Sequence, residues 1–214
     1  LHHLANYNRI VVQRNKLLKD LSFRPELKDT LDIWDIQMAE YGKKIIESRN
    51  AFIESLGEII RGIHEKLSGG KEELTLSYEK HVGAEELYDA ITRSRDRDIR
   101  MKTSNVGPHR DDLMFVIGGV DIRKFGSQGQ QRTAALSLKL SEIELVKQVI
   151  HDTPVLLLDD VLSELDHNRQ NYLLDSIHDI QTMITCTGLD EFVNHRFSIN
   201  RVFRVVDGAV YSGN

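Results

Sequence analysis

The chain has a single cysteine, Cys186, so no disulfide can form within it. That usage fits a reducing, cytoplasmic setting, and Cys186 itself is expected to be a small buried residue. No stretch approaches the roughly 18 to 20 apolar residues that a membrane span needs. No secretory signal and no initiating Met open the sequence, and Leu1 already lies in a helical pattern, which predicts a start within a longer protein. An excess of positive charge is also missing. The net charge of the 214 residues is −5. Residues 1–104 carry 18 Lys/Arg against 18 Asp/Glu, and residues 105–214 carry 10 against 15. The overall basic footprint of a nucleic-acid binder is therefore absent, and any such contact has to come from a local patch or an assembled dimer.

What is present is a globular composition, 40% hydrophobic and 29% charged. Leu4, Tyr7, Val11, Arg14, Leu18 and Leu21 are spaced as one helical seam. Leu31, Trp34, Met38, Tyr41 and Ile45 form a second, continuing through Phe52, Leu56, Ile59 and Ile63. Pro25 marks a short connection between them, so the two helices are expected to run antiparallel. The second, from about Lys28 to Leu67, would be roughly 60 Å long at 1.5 Å per residue. Such a pair reads as a projecting arm over residues 1–67, or as an ordinary two-helix layer. Ser68-Gly69-Gly70 ends it. A connecting segment, residues 68–104, follows with a strand at Leu74–Lys80 and a helix at Ala84–Lys102. The far end of that helix holds Arg93, Arg95, Arg97, Arg100 and Lys102, either a solvated face or a patch for phosphates.

The pattern changes after Gly107-Pro108. Strands at Asp112–Ile117 and Val120–Phe125 flank the turn Gly118-Gly119. Then come a helix at Gln130–Ile150, a strand at Val155–Leu158, a helix at Asn168–Ile177, a strand at Thr182–Cys186 and a hairpin through Asp207-Gly208. Alternation of strands and helices over residues 105–214 implies an α/β layer with a partly parallel sheet.

Three motifs there carry chemistry. In Phe125-Gly126-Ser127-Gln128-Gly129-Gln130-Gln131-Arg132, a glycine-rich turn opens a helix, where backbone N–H groups and the helix dipole suit an anion. A plain Ser/Gly cap has the same look. Pro154-Val155-Leu156-Leu157-Leu158-Asp159-Asp160 reads as a strand buried on both faces with two acids at its carboxyl end, where open α/β sheets bind ligands. Mg²⁺ takes one or two carboxylates and keeps waters, so Asp159 is a candidate ligand and Asp160 a candidate base. Ser163-Glu164-Leu165-Asp166 follows at once, with Asp166 also placed to cap a helix.

In this order the motifs resemble the signature, Walker B and D-loop half of an ABC-type ATPase. With Gly107-Pro108-His109-Arg110-Asp111-Asp112-Leu113, Tyr7-Asn8-Arg9 and Asp32-Ile33-Trp34-Asp35, nearly the whole chain resembles the C-terminal portion of the RecF family of ABC/SMC-type ATPases. The resemblance implies a partial P-loop NTPase head with an α-helical, coiled-coil-like arm. It implies ATP and Mg²⁺ as cofactors, with ATP held between two heads in an ATP-dependent homodimer. Ser127, Gln128, Gly129 and Gln130 would meet the γ-phosphate from the opposing subunit, Asp159 would serve the metal, Asp160 would stand where many relatives have a catalytic Glu, and Asp166 would lie at the dimer seam. The implied partners are duplex DNA and single-strand gap junctions, RecR and RecO, and indirectly RecA, with no membrane. The sequence departs from the ABC pattern twice. It contains no GxxxxGK[ST] loop, so this stretch alone is expected to bind ATP poorly and not to hydrolyse it. Thr187-Gly188 stands where transporters carry a switch His, which leaves Thr185 or Thr187 as the phosphate sensor. A non-catalytic docking module is the competing reading, and the role of His109 stays open between a site residue and a turn residue.

Overall fold

The computed structural model describes residues 2–162, 165–186 and 201–213. The chain divides into two compact units, residues 1–141 and 142–214.

The first unit opens with α1 (His2–Asp20), a 3-10 turn (Pro25–Thr30) and α2 (Leu31–Ser68). Tyr7 and Ile10 pack with Met38, Ile45 and Ile46, while Leu18 and Leu21 pack with Leu31, so the two helices run antiparallel as expected. The proline turn takes up residues assigned to the second helix, which therefore starts at Leu31 and not at Lys28. α2 ends in a left-handed Gly69, with Gly70 N donating to Glu65 O at 2.7 Å. The buried stripe of α2 differs from the apolar seam read in the sequence. Asp35, Gly42, Ile53, Ile60 and His64 are buried, whereas Phe52 is exposed. A seam counted on apolar residues alone skips the polar and small positions that face the core. Gly42 is one of these, since a Cβ there would lie 2.6 Å from a methyl of Leu87.

β1 (Leu74–Glu79), β2 (Asp112–Ile117) and β3 (Val120–Asp121) form an antiparallel sheet in that order, with Leu76 opposite Phe115. α3 (Leu87–Arg93) and α4 (Arg95–Met101) replace the single helix expected over Ala84–Lys102. The break falls at Ser94, whose hydroxyl donates to Ile91 O at 2.9 Å and to Asp98 Oδ2 at 3.0 Å, local bonds that compete with a continuous helix. β3 is also shorter than expected. Asp121 accepts from Arg123 N at 3.0 Å and starts α5 (Ile122–Phe125), which takes over the rest of the predicted strand. α1 packs along the first half of α2. The second half of α2 supports the sheet, where a Cβ on Gly57 would touch Leu76 O at 3.5 Å. α6 (Gln128–Ile150) begins in the first unit and ends in the second.

The second unit contains β4 (Leu156–Asp159), α7 (His167–Ser176), β5 (Thr182–Thr185) and a hairpin of β6 (Val202–Val206) with β7 (Ala209–Gly213). β4 and β5 are parallel, with Leu158 opposite Ile184 and Asp159 opposite Thr185. A parallel pair needs a crossover, and α7 supplies it. Leu158, Leu173, Leu174 and Ile177 are buried. The expectation that β4 is buried on both faces does not hold among the described residues. Leu157 is 69% and Met183 62% exposed, because one side of the strand pair is covered and the other is not. Cys186, expected to be buried, is exposed just beyond β5.

Candidate functional site

The turn at Ser127 is built as a reciprocal cap. Ser127 Oγ accepts from Gln130 N at 3.2 Å, and Gln130 Oε1 accepts from Ser127 N at 2.9 Å. Gly126 is required beside it, since a Cβ there would lie 2.5 Å from Ile122 O. Ser127, Gln128 and Gly129 are exposed at the start of α6, where a helix leaves backbone N–H groups without an intrahelical partner. Ser127 Oγ uses a lone pair on Gln130 N and keeps its proton to donate. The carboxamide of Gln130 is differently placed. Its Nε2 donates to Glu72 Oε1 at 2.9 Å, so both ends of the side chain are engaged within the chain.

The two acids sit at the carboxyl end of β4. Asp159 Oδ1 accepts from Thr185 Oγ1, and Asp160 N donates to Thr185 O and Oγ1, each at 3.1 Å. The structure thus brings Thr185, one of the two candidate sensors, against both acids. Asp160 adopts φ 52°, a left-handed conformation that turns the chain sharply off the strand. An exposed carboxylate and a neighbouring hydroxyl are hard oxygen donors of the kind Mg²⁺ takes with its remaining waters, so these residues fit that ion. Asp166 caps α7, accepting from Asn168 N and Arg169 N at 3.1 Å, with Arg169 Nη1 at 2.6 Å. Those backbone donors and the guanidinium hold its carboxyl below the usual range. Ser163, Glu164, Thr187 and Gly188 lie outside the described residues.

His109 lies in a 3-10 turn (Pro108–Arg110) bound to the helices. Its Nε2 reaches Ser104 O at 3.1 Å, which assigns the proton to that nitrogen and leaves Nδ1 to accept from Tyr7 Oη at 2.8 Å. Partial burial lowers the pKa of the ring, while burial and then the charge of Asp111 raise that of the Tyr7 phenol. Asp111 accepts from His81 N at 2.8 Å and from Tyr78 Oη. Burial, followed by that bond, pushes the Tyr78 phenol up to about 12. Arg49 closes the cluster by donating to Pro108 O at 2.6 Å. These bonds tie the His109 ring to α1 and to Ser104.

The sequence did not reveal a second cluster. Arg14, fully buried, donates to Asp35 Oδ1 at 2.6 Å, Asp98 Oδ2 at 2.7 Å and Ser104 Oγ at 2.8 Å. Arg95 joins it through Asp35 Oδ2 at 2.6 Å, which takes Arg95 out of the basic run. A charged residue at a seam position, Arg14, was the available signal.

No family model matches the chain. The DNA replication and repair protein RecF of Agathobacter rectalis is 59% identical over 210 residues, covering 98% of this chain and 58% of that protein. The same protein of Lachnoclostridium phytofermentans is 58% identical over 213 residues, covering 100% of this chain and 59% of that protein. The chain belongs to the RecF family. It spans just under three fifths of the length of these RecF relatives. The fold agrees. A solved structure of the recombination mediator protein RecF in the RecFOR pathway, as RecF-ATPrS, superimposes with a TM-score of 0.87 at 37% identity over 99% of this chain and 58% of that one. Its RecF-ATP counterpart gives 0.84 at 36% identity, covering 100% of this chain and 58% of that one. The architecture is therefore that of an ABC/SMC-type ATPase, mixed α/β with one long helix. Among the described residues, no helix is long and apolar enough to cross a membrane.

Proposed function

We propose that the chain forms part of a DNA repair and replication protein of the RecF type, in which it supplies the signature turn and the acid pair of an ATP site. The observation that carries the reading is the Ser127 turn, exposed at the N-terminus of a 23-residue helix and held open by its own cap. Such a terminus is chemically suited to a phosphate. In this reading the turn meets the γ-phosphate of ATP bound by a second copy, and dimerisation follows ATP binding. Asp159 and Thr185 would help hold Mg²⁺, which supplies charge neutralisation at the phosphates when bound. Asp160 would orient or deprotonate the attacking water, with a reach one methylene shorter than Glu. Asp166 would lie near the dimer seam, fixed by its cap and by Arg169. Phosphoryl transfer depends on positioning and charge stabilisation, so each of these surfaces matters even though none performs covalent chemistry.

In the same reading the whole protein binds duplex DNA and single-strand gap junctions, acts with RecR and RecO, and helps to load RecA, a role that membership of the RecF family supports. The deciding experiment uses a protein completed to the full length of its RecF relatives. ATP turnover and ATP-dependent dimerisation are measured for Ser127→Ala and Asp160→Asn. Loss of dimerisation in the first and of turnover in the second is expected. Unchanged behaviour in both would remove the nucleotide reading.

A further inference from the structure

The signature turn and the far end of α2 share a circuit of polar side chains, hydrogen-bonded except at the Glu72–His64 approach. Gln130 Nε2 donates to Glu72 Oε1 at 2.9 Å. Glu72 Oε2 lies 3.5 Å from His64 Nε2, and His64 Nδ1 lies 3.0 Å from Ser137 Oγ. Ser137 Oγ donates to Thr133 O at 2.7 Å, and Thr133 Oγ1 donates to Gly129 O at 2.7 Å, back inside the turn. His64, Thr133 and Ser137 are fully buried, so the circuit is screened from water along most of its length. Glu72 is the member that connects the buried part to the exposed turn, its side chain 25% exposed.

This arrangement constrains Gln130. One end of its carboxamide holds Ser127 N and the other holds Glu72. For Gln130 to reach outward to an anion, both bonds would have to break. Ser127 has the opposite situation, with an exposed hydroxyl that retains its proton. We propose that Glu72 is a positioning residue of the signature turn, and that Gln130 acts as its internal clamp while Ser127 Oγ and the first-turn N–H groups meet the phosphate. The assignment rests on the nucleotide reading of the turn given above. Donors must stand close to the position of developing charge, and displacement by about 1 Å costs up to about a hundredfold in rate. Glu72 acts before the second copy is met, so its loss affects dimerisation and turnover while each monomer's own nucleotide affinity is untouched.

The test uses the full-length protein, with ATP and Mg²⁺, and a fluorescent ATP analogue to read monomer affinity. Glu72→Ala is expected to lower kcat and ATP-driven dimerisation by about tenfold, a partial displacement. Monomer nucleotide affinity should stay within twofold. Glu72→Gln, which keeps an acceptor oxygen for Gln130, should restore most of the rate. Gln130→Met, which removes the Glu72 bond and the Ser127 N bond together, should be at least as damaging as Glu72→Ala, and the double variant should be no worse than Gln130→Met, because the Glu72 bond is already gone. Wild-type kcat in Glu72→Ala would overturn the proposal. So would a parallel loss of monomer affinity, a Glu72→Gln variant as poor as Glu72→Ala, or additive losses in the double variant. Ser127→Ala separates the two levels: if it leaves dimerisation and turnover intact, the nucleotide reading itself has failed. If it abolishes them while Glu72→Ala does not, only the positioning role has failed.

Discussion

Replacing Arg14 by Met tests the buried ionic cluster most directly. Met replaces the aliphatic stem of the arginine, so packing there is kept while three charge-assisted hydrogen bonds, to Asp35, Asp98 and Ser104, are lost. Asp35 retains Arg95 at 2.6 Å, but Asp98 keeps only neutral donors, Ser94 Oγ and the N and Nδ2 of Asn105. Asp98 is 1% exposed, so its carboxylate becomes a buried charge without a cation. Breaking one side of a buried pair costs about 3–5 kcal/mol. In a protein of this size each kcal/mol moves the melting temperature by about 2–4 °C, which places the expected fall near 10 °C. Thermal and urea unfolding followed by circular dichroism would measure it. Arg14→Met combined with Asp98→Asn should be less damaging than the sum of the two single changes, since the second relieves the charge stranded by the first. A loss under about 1 kcal/mol for Arg14→Met, or strict additivity in the pair, would refute the reasoning.

Gly107→Ala should cost at least about 2 kcal/mol and disturb the His109 turn. Gly107 has φ 137°, and an added Cβ would overlap Tyr7 Oη, so unfolding curves and the Tyr7–His109 contact both report on it. Asp166→Ala should destabilise α7 by roughly 1 kcal/mol through loss of its cap. Because the folded-state pKa of Asp166 is depressed, its contribution is present above the unfolded value near 4 and fades as pH falls through the lower folded one. A wild-type-minus-variant stability difference that stays constant down to pH 2 would contradict this. Neutralising Arg93 and Arg97, both exposed, should weaken duplex binding and reduce its salt dependence without loss of stability. Arg95 is left in place because its bonds to Asp35 and Asp32 are structural, and filter binding at two salt concentrations is sufficient.

The sequence disclosed elements better than their faces. The helical hairpin, the β4–α7–β5 crossover and the Asp207-Gly208 hairpin follow from periodicity and turn residues, and their bounds fall within a few residues of those expected. The seam of α2 was misread because burial there includes Asp35 and His64, whose partners lie up to 73 residues away in sequence. Ser94 divided a helix that apolar spacing makes continuous, since side-chain competition with the backbone leaves no periodic trace. The run Val155–Leu158 suggested burial on both faces, yet apolar composition states only that a face can be buried. At the candidate site, Ser127 and Asp166 were legible as caps, and both do cap their helices. Glu72 was not legible, because nothing in a stretch of Lys and Glu marks one carboxylate as the partner of a distant glutamine.

α2 runs without a proline or a break from Asp35, in the ionic cluster, to His64, behind the Ser127 turn. The separation is 29 residues, or about 44 Å of rod. A rod with no internal hinge transmits rotation undiminished. A tilt of about 2° around its first turns would carry His64 through about 1.5 Å, half the length of the hydrogen bond it makes with Ser137. Displacement of the hairpin end of α2 therefore reaches the contacts that stand behind the Ser127 turn.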